Sequence, residues 1–89
     1  MSYNLILGRL DDGEYIWFAK YRVGLISPSA VLFILNNERP NLGNLVPFVA
    51  EVDKETKTAS SLQQLIFDEE LDRYTLGPIR PDETLTLAK

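Results

Sequence analysis

Two groups of carboxylates in this chain could do chemistry. Asp11, Asp12 and Glu14 surround Gly13, and Asp68, Glu69 and Asp72 fall close together further on. Carboxylate oxygens hold hard cations, and a carboxylate pair can work as acid and base once its surroundings drive the two pKa values apart. Asp11, Asp12 and Glu14 lack the regular ligand spacing and the distant glutamate of a calcium loop. The chain has no histidine and no cysteine. That removes imidazole bases, Ser-His and Cys-His pairs, and the usual ligands of a structural zinc. No glycine pattern fits a phosphate-binding loop. The sequence therefore names no catalytic residue, no metal ligand and no cofactor. A carboxylate-dependent enzyme or metal-binding domain built on Asp11, Asp12 and Glu14 stands as an alternative.

The third group is aromatic. Tyr15, Trp17, Phe18 and Tyr21 lie together, with Lys20 among them and Arg22 next. Rings beside basic residues on a strand can stack single-stranded bases. The same residue types are enriched where proteins dock on one another. A plain core and one hairpin face would also account for them. Tyr15, Trp17, Ala19, Tyr21 and Val23 alternate with Ile16, Phe18, Lys20 and Arg22. The first set is the more uniformly apolar and is expected to point inward. Ile16, Phe18, Lys20 and Arg22 are then the residues expected to meet a partner. A single-strand nucleic-acid binder using Trp17, Phe18 and Tyr21 is the further alternative.

Charge limits the partners. The formal net charge is −4, and the basic residues are scattered. A duplex-binding protein would show a basic face, so duplex nucleic acid is not expected. Composition is that of a folded globular protein, with 45% hydrophobic and 25% charged residues. The longest apolar run, 30–35, is far shorter than a membrane span, and the first residues lack the pattern of a signal peptide. A location in the cytoplasm or inside a macromolecular assembly is expected.

The elements that would position these residues read as follows. Residues 3–10 and 14–23 form a hairpin around Asp11-Asp12-Gly13, which supplies turn chemistry. Residues 28–36 are read as a strand, because Val31, Phe33 and Ile34 favour one, although Ser27-Pro28 would also start a helix. Residues 45–53 are a strand that lies at an edge or begins after Pro47. Ser60 and Gln63 have capping-box spacing, and Leu62, Leu65, Ile66, Phe67, Leu71 and Tyr74 recur as on a helix that Gly77-Pro78 ends. Glu69 and Arg73 would pair along it. Residues 83–87 alternate as a last strand.

The expected fold is one α+β domain over 1–89, a small and mostly antiparallel sheet of about five strands with one main helix near the C-terminus. At this length folding hides only roughly 60–65% of the unfolded chain's surface. A protein partner or a homo-oligomer is therefore expected. The function expected is a non-enzymatic interaction module. It would be a subunit of a larger assembly, for which a virion or accessory protein fits in size, or a small inhibitor of a partner protein.

Overall fold

The computed structural model describes residues 2–18, 25–53, 55–80 and 84–86. The elements are β1 (Ser2–Asp11), β2 (Glu14–Phe18), α1 (Pro28–Glu38), β3 (Val46–Asp53), β4 (Thr58–Asp68), β5 (Arg73–Arg80) and β6 (Leu85–Thr86). All paired strands run antiparallel, in the order β2-β1-β3-β4-β5, and β6 pairs with β4. The α+β class is as read. No helix among the described residues is long and apolar enough to cross a membrane.

The first hairpin follows from its turn. Asp11 pairs with Glu14, and Asp12 and Gly13 between them both have positive φ. Two such residues make the tight turn whose twist matches the flanking strands.

The helix lies mid-chain, which corrects its expected place near the C-terminus and the strand read over 28–36. Ser27 is extended and its Oγ accepts from the Ala30 N–H at 3.2 Å, while Pro28 occupies the first turn, where its missing donor does no harm. Arg39 closes the helix in the left-handed conformation, donating to Leu35 O at 2.9 Å. These end signals outweigh the strand preference of Val31, Phe33 and Ile34.

The helix read from Ser60 to Tyr74 is instead the β4–β5 hairpin. Ser60 caps nothing; it pairs with Glu51 of β3. Val49 pairs with Gln63 and Glu51 with Ser60, so β4 carries one extra residue, and Ser61 has φ +54. This bulge spaces Ala59 and Leu62 three apart on one face, and Leu65 is buried on the other. Bulge and burial on both faces together imitate helical spacing. At the turn, Asp68 Oδ1 accepts from the N–H groups of Glu70 and Leu71. Gly77-Pro78 does not stop a helix either. Gln63 pairs with Ile79 and Leu65 with Leu76, so a second bulge falls at these two residues of β5. Proline is tolerated on such an edge strand.

Pro47 is corrected as well. It is the second residue of β3, a central strand, and sits opposite Leu7 of β1. Pairing with β4 begins only at Phe48, so the absent donor precedes that ladder.

Both faces of the sheet are buried. On one, Leu5, Leu7, Val49 and Leu65 pack under Val31 and Leu35 of α1. On the other, Ile6, Phe48, Ala50, Val52, Ala59 and Leu62 pack with Tyr15, Trp17, Val46 and Leu85. The guanidinium of Arg80, from β5, lies 5.0 Å from the ring centre of Tyr15, from β2 at the other end of the sheet. Side chains stand nearly perpendicular to a sheet, so this meeting shows that the sheet curls around that second face. The curl buries Phe48 on the face opposite α1.

The bulge at Ser61 gives a test. A β-branched residue in the left-handed region is strained, so Ser61→Val is expected to lose about 1–2 kcal/mol of unfolding free energy, while Ser61→Gly is tolerated. Chemical denaturation of the two variants reads this. Equal stability would mean that β4 carries no left-handed residue there.

Candidate interaction surface

The aromatic group divides along the pleat of β2. Tyr15 and Trp17 are half-buried on the curled face, with ring centres 5.1 Å apart, and each meets Phe48 edge-on at 5.3 and 4.9 Å. Gly8 lets the rings lie over the strand beside it, since a Cβ there would come 2.9 Å from the Trp17 ring. Arg80 sits over Tyr15 and Phe48. These faces are engaged with one another. Ile16 is on the opposite face, across from Arg9, and is 39% exposed. Phe18 pairs with Leu7 in register. Lys20, Tyr21 and Arg22 lie outside the described residues.

The carboxylates hold turns. Asp11, Asp12 and Glu14 are exposed around the first hairpin. Asp53 Oδ1 accepts from Glu55 N at 2.9 Å and Thr56 N at 3.4 Å, the same device that Asp68 uses in the next hairpin. Among the described residues no three acidic side chains gather where a metal ion could sit. Asp68 and Asp72 lie on the β4–β5 hairpin turn and not on a helix. Asp72 closes the hairpin turn and pairs with Arg39 at 3.2 Å, in place of the Glu69–Arg73 pair expected along a helix. The hydrogen bond and then the charge of Arg39 hold the Asp72 carboxyl below its ordinary range, and Asp72 in turn raises Arg39. Stability from this pair is present above the unfolded carboxyl's pKa and lost as pH falls through the lowered one. Both side chains are exposed, so the contribution is small.

A surface that the sequence reading missed lies along α1. The run Ala30-Val31-Leu32-Phe33-Ile34-Leu35 is apolar and longer than a turn, so it points apolar side chains in every direction. A sheet can cover only one side of such a helix. Val31 and Leu35 take the covered side, and Phe33, the middle residue of the helix, is 69% exposed.

Asn36 fixes which way that outer side faces. Its Nδ2 donates to Tyr74 O at 3.1 Å, and its Oδ1 accepts from Tyr74 N at 2.6 Å. The side chain thus takes the place of a neighbouring strand on β5. Val31 and Leu35 face the sheet, so Phe33, two positions from each, points away from it. Leu76 pairs with Leu65, and Ile79 with Gln63. Cross-strand partners share a face, and that of Leu65 is the helix side. Leu76 is 41% and Ile79 57% exposed. Phe33 is thus exposed on the outer side of α1 with Ser29 and Asn37, while Leu76 and Ile79 are exposed on the helix side of β5.

The edge of β5 itself is a poor docking site. Asn36 occupies Tyr74, Gln63 Nε2 donates to Gly77 O at 2.9 Å, and Pro78 has no donor. Bulges and prolines blunt sheet edges in this way.

No protein-family model, no curated protein and no solved structure matches the chain.

The Asn36 amide can be tested by its chemistry. Asn36→Ala leaves the Tyr74 groups unpartnered and is expected to cost about 1–3 kcal/mol. Asn36→Asp keeps the acceptor for Tyr74 N–H but sets an oxygen against Tyr74 O, so it too is expected to destabilise. Hydrogen exchange at Tyr74 should quicken in Asn36→Ala. An unchanged Tyr74 amide would remove this anchor.

Proposed function

We propose that the chain is a non-enzymatic interaction module, a small subunit that docks on another protein through the outer side of α1. The observation that carries this is Phe33, 69% exposed at the middle of α1, within the apolar run 30–35. A large exposed aromatic ring on an uncharged helix side is a surface that a docked protein would cover. The outer side of the helix carries no charge: Ser29, Phe33 and Asn37 face out, and Glu38 is the sole charged residue of α1. Lasting subunit contacts are the more apolar kind, whereas an inhibitor steered by charge would present its acids. This favours the subunit over the inhibitor. Ile16, Phe18, Lys20 and Arg22 are proposed as a second contact. What supports it is the partial exposure of Ile16 on β2, with α1 lying against β5, β1 and β3.

Native purification tests this with three proteins: wild type, Phe33→Asp and Ile16→Asp. Wild type is expected to carry a stoichiometric protein, another copy included, that Phe33→Asp loses by at least about 30-fold in affinity, the size of a binding hot spot. Melting temperature should stay close to wild type, because Phe33 is outside the core. Retention of the bound protein by Phe33→Asp would remove α1 as the docking element, and loss in Ile16→Asp alone would transfer the role to β2.

A further inference from the structure

Resting on the second contact proposed above, we infer that the outer edge of β2 pairs with β2 of a second copy, antiparallel, with Trp17 opposite Trp17. The two edges of the sheet differ. The β5 edge carries a bulge and Pro78, and the Asn36 side chain occupies the backbone of Tyr74. β2 ends the sheet on the other side, and its register with β1 runs unbroken from Glu14 to Phe18, with no bulge and no proline. Sheets blunt the edges that must stay unpaired. A straight edge opposite a blunted one is the edge that a partner strand can join.

The first hairpin fixes which backbone groups that edge offers. Asp12 and Gly13 form a two-residue turn with positive φ, so Asp11 and Glu14 on either side exchange both their hydrogen bonds. Every second residue then turns inward, and Glu14, Ile16 and Phe18 bond to β1. Pro47 agrees with this alternation. It has no donor to give, and it stands opposite Leu7, whose groups turn the other way, toward Phe18. Tyr15 and Trp17 therefore direct their N–H and C=O groups outward, and among the described residues no strand lies there to take them.

The order of residues along this edge selects the occupant. It reads Glu14-Tyr15-Ile16-Trp17-Phe18-Ala19-Lys20, of which Ala19 and Lys20 lie outside the described residues. Laid antiparallel on itself about Trp17, the segment sets Glu14 opposite Lys20, Ile16 opposite Phe18 and Tyr15 opposite Ala19. Acid meets base, apolar meets apolar and a large ring meets a small side chain, each twice by symmetry. Neighbouring registers break the match. About Ile16, Glu14 would meet Phe18, and about Phe18, Ile16 would meet Lys20. Parallel order would set acid against acid, because Asp11 and Asp12 add negative charge at the Glu14 end, while Arg22 follows Lys20 in the sequence. A foreign strand would have to carry this same order of residues, and a second copy carries it already.

Sedimentation over a concentration series decides the matter, with wild type, Glu14→Lys, Lys20→Glu, the two exchanges combined, and Phe33→Asp. Glu14 is exposed, so its reversal leaves the fold in place. Wild type is expected to dimerise. Each single reversal sets two like-charge pairs across the contact and should weaken the dimer by about tenfold or more. The combined exchange should restore it to near wild type. The two single reversals move the net charge in opposite directions, so a general effect of charge would strengthen one dimer where this register weakens both. Phe33→Asp should leave the dimer unchanged. A wild type that stays monomeric, a dimer that neither reversal weakens, or a combined exchange that restores nothing would overturn the inference. A dimer that Phe33→Asp alone breaks also overturns it, and keeps α1 as the docking element. The expected pattern in a protein that captures nothing through Phe33 upholds the β2 pairing and rejects docking through α1.

Discussion

The side-chain amide of Asn36 does for β5 what another strand would do. It gives a donor to Tyr74 O and takes the Tyr74 N–H, so the end of α1 is fixed to the outer strand of the sheet. The other end is held where Tyr3 and Leu25 exchange backbone hydrogen bonds of 2.7 and 3.0 Å. Between these anchors the helix crosses the sheet from β1 to β5. Its rotation about its own axis follows, with Val31 and Leu35 in and Phe33 out. The half-buried amide groups of Tyr74 explain why asparagine suits this place, since an apolar residue would leave them without partners.

Legibility in the sequence followed the locality of the signals. The first hairpin could be read because Asp12-Gly13 is a complete turn signal in two residues. Residues 45–53 could be read because Val46, Phe48, Ala50 and Val52 recur at every second position, although the central position of β3 could not, since Pro47 argues for an edge unless its place ahead of the β4 ladder is known. Residues 60–74 misled for a definite reason. The extra residue at Ser61 shifts the pleat by one, and strands buried on both faces show apolar residues at spacings of three and four. At 28–36 the end signals pointed one way and the side-chain preferences another, and Ser27-Pro28 prevailed.

That one exchange also hid the surface. Read as a strand, 28–36 puts Val31, Phe33 and Leu35 on one face, all buried together. Read as a helix, it keeps Val31 and Leu35 together and turns Phe33 to the opposite side. Trp17 was legible, because its alternating neighbours are apolar, and it does face Phe48. The proposal that Phe18, Lys20 and Arg22 meet a partner keeps only its original basis, alternation along 14–23.

The crossover carried by α1 has a kinetic consequence. β3, β4 and β5 follow one another through short turns, each opened by an aspartate that takes the turn's N–H groups. β1 must instead find β3 across the whole span of β2 and α1, pairing Ser2 with Val52. Closing a long loop costs more entropy than closing a hairpin, and non-local pairing slows folding. The three-stranded meander is thus the nucleus that local physics favours, and the first hairpin docks on it late. Mutations in β3–β5 are expected to slow folding, and those in β1 to speed unfolding, which stopped-flow kinetics would show. During synthesis the β1–β2 hairpin emerges before β3, and its apolar face stays open until the strand that will receive it has been made.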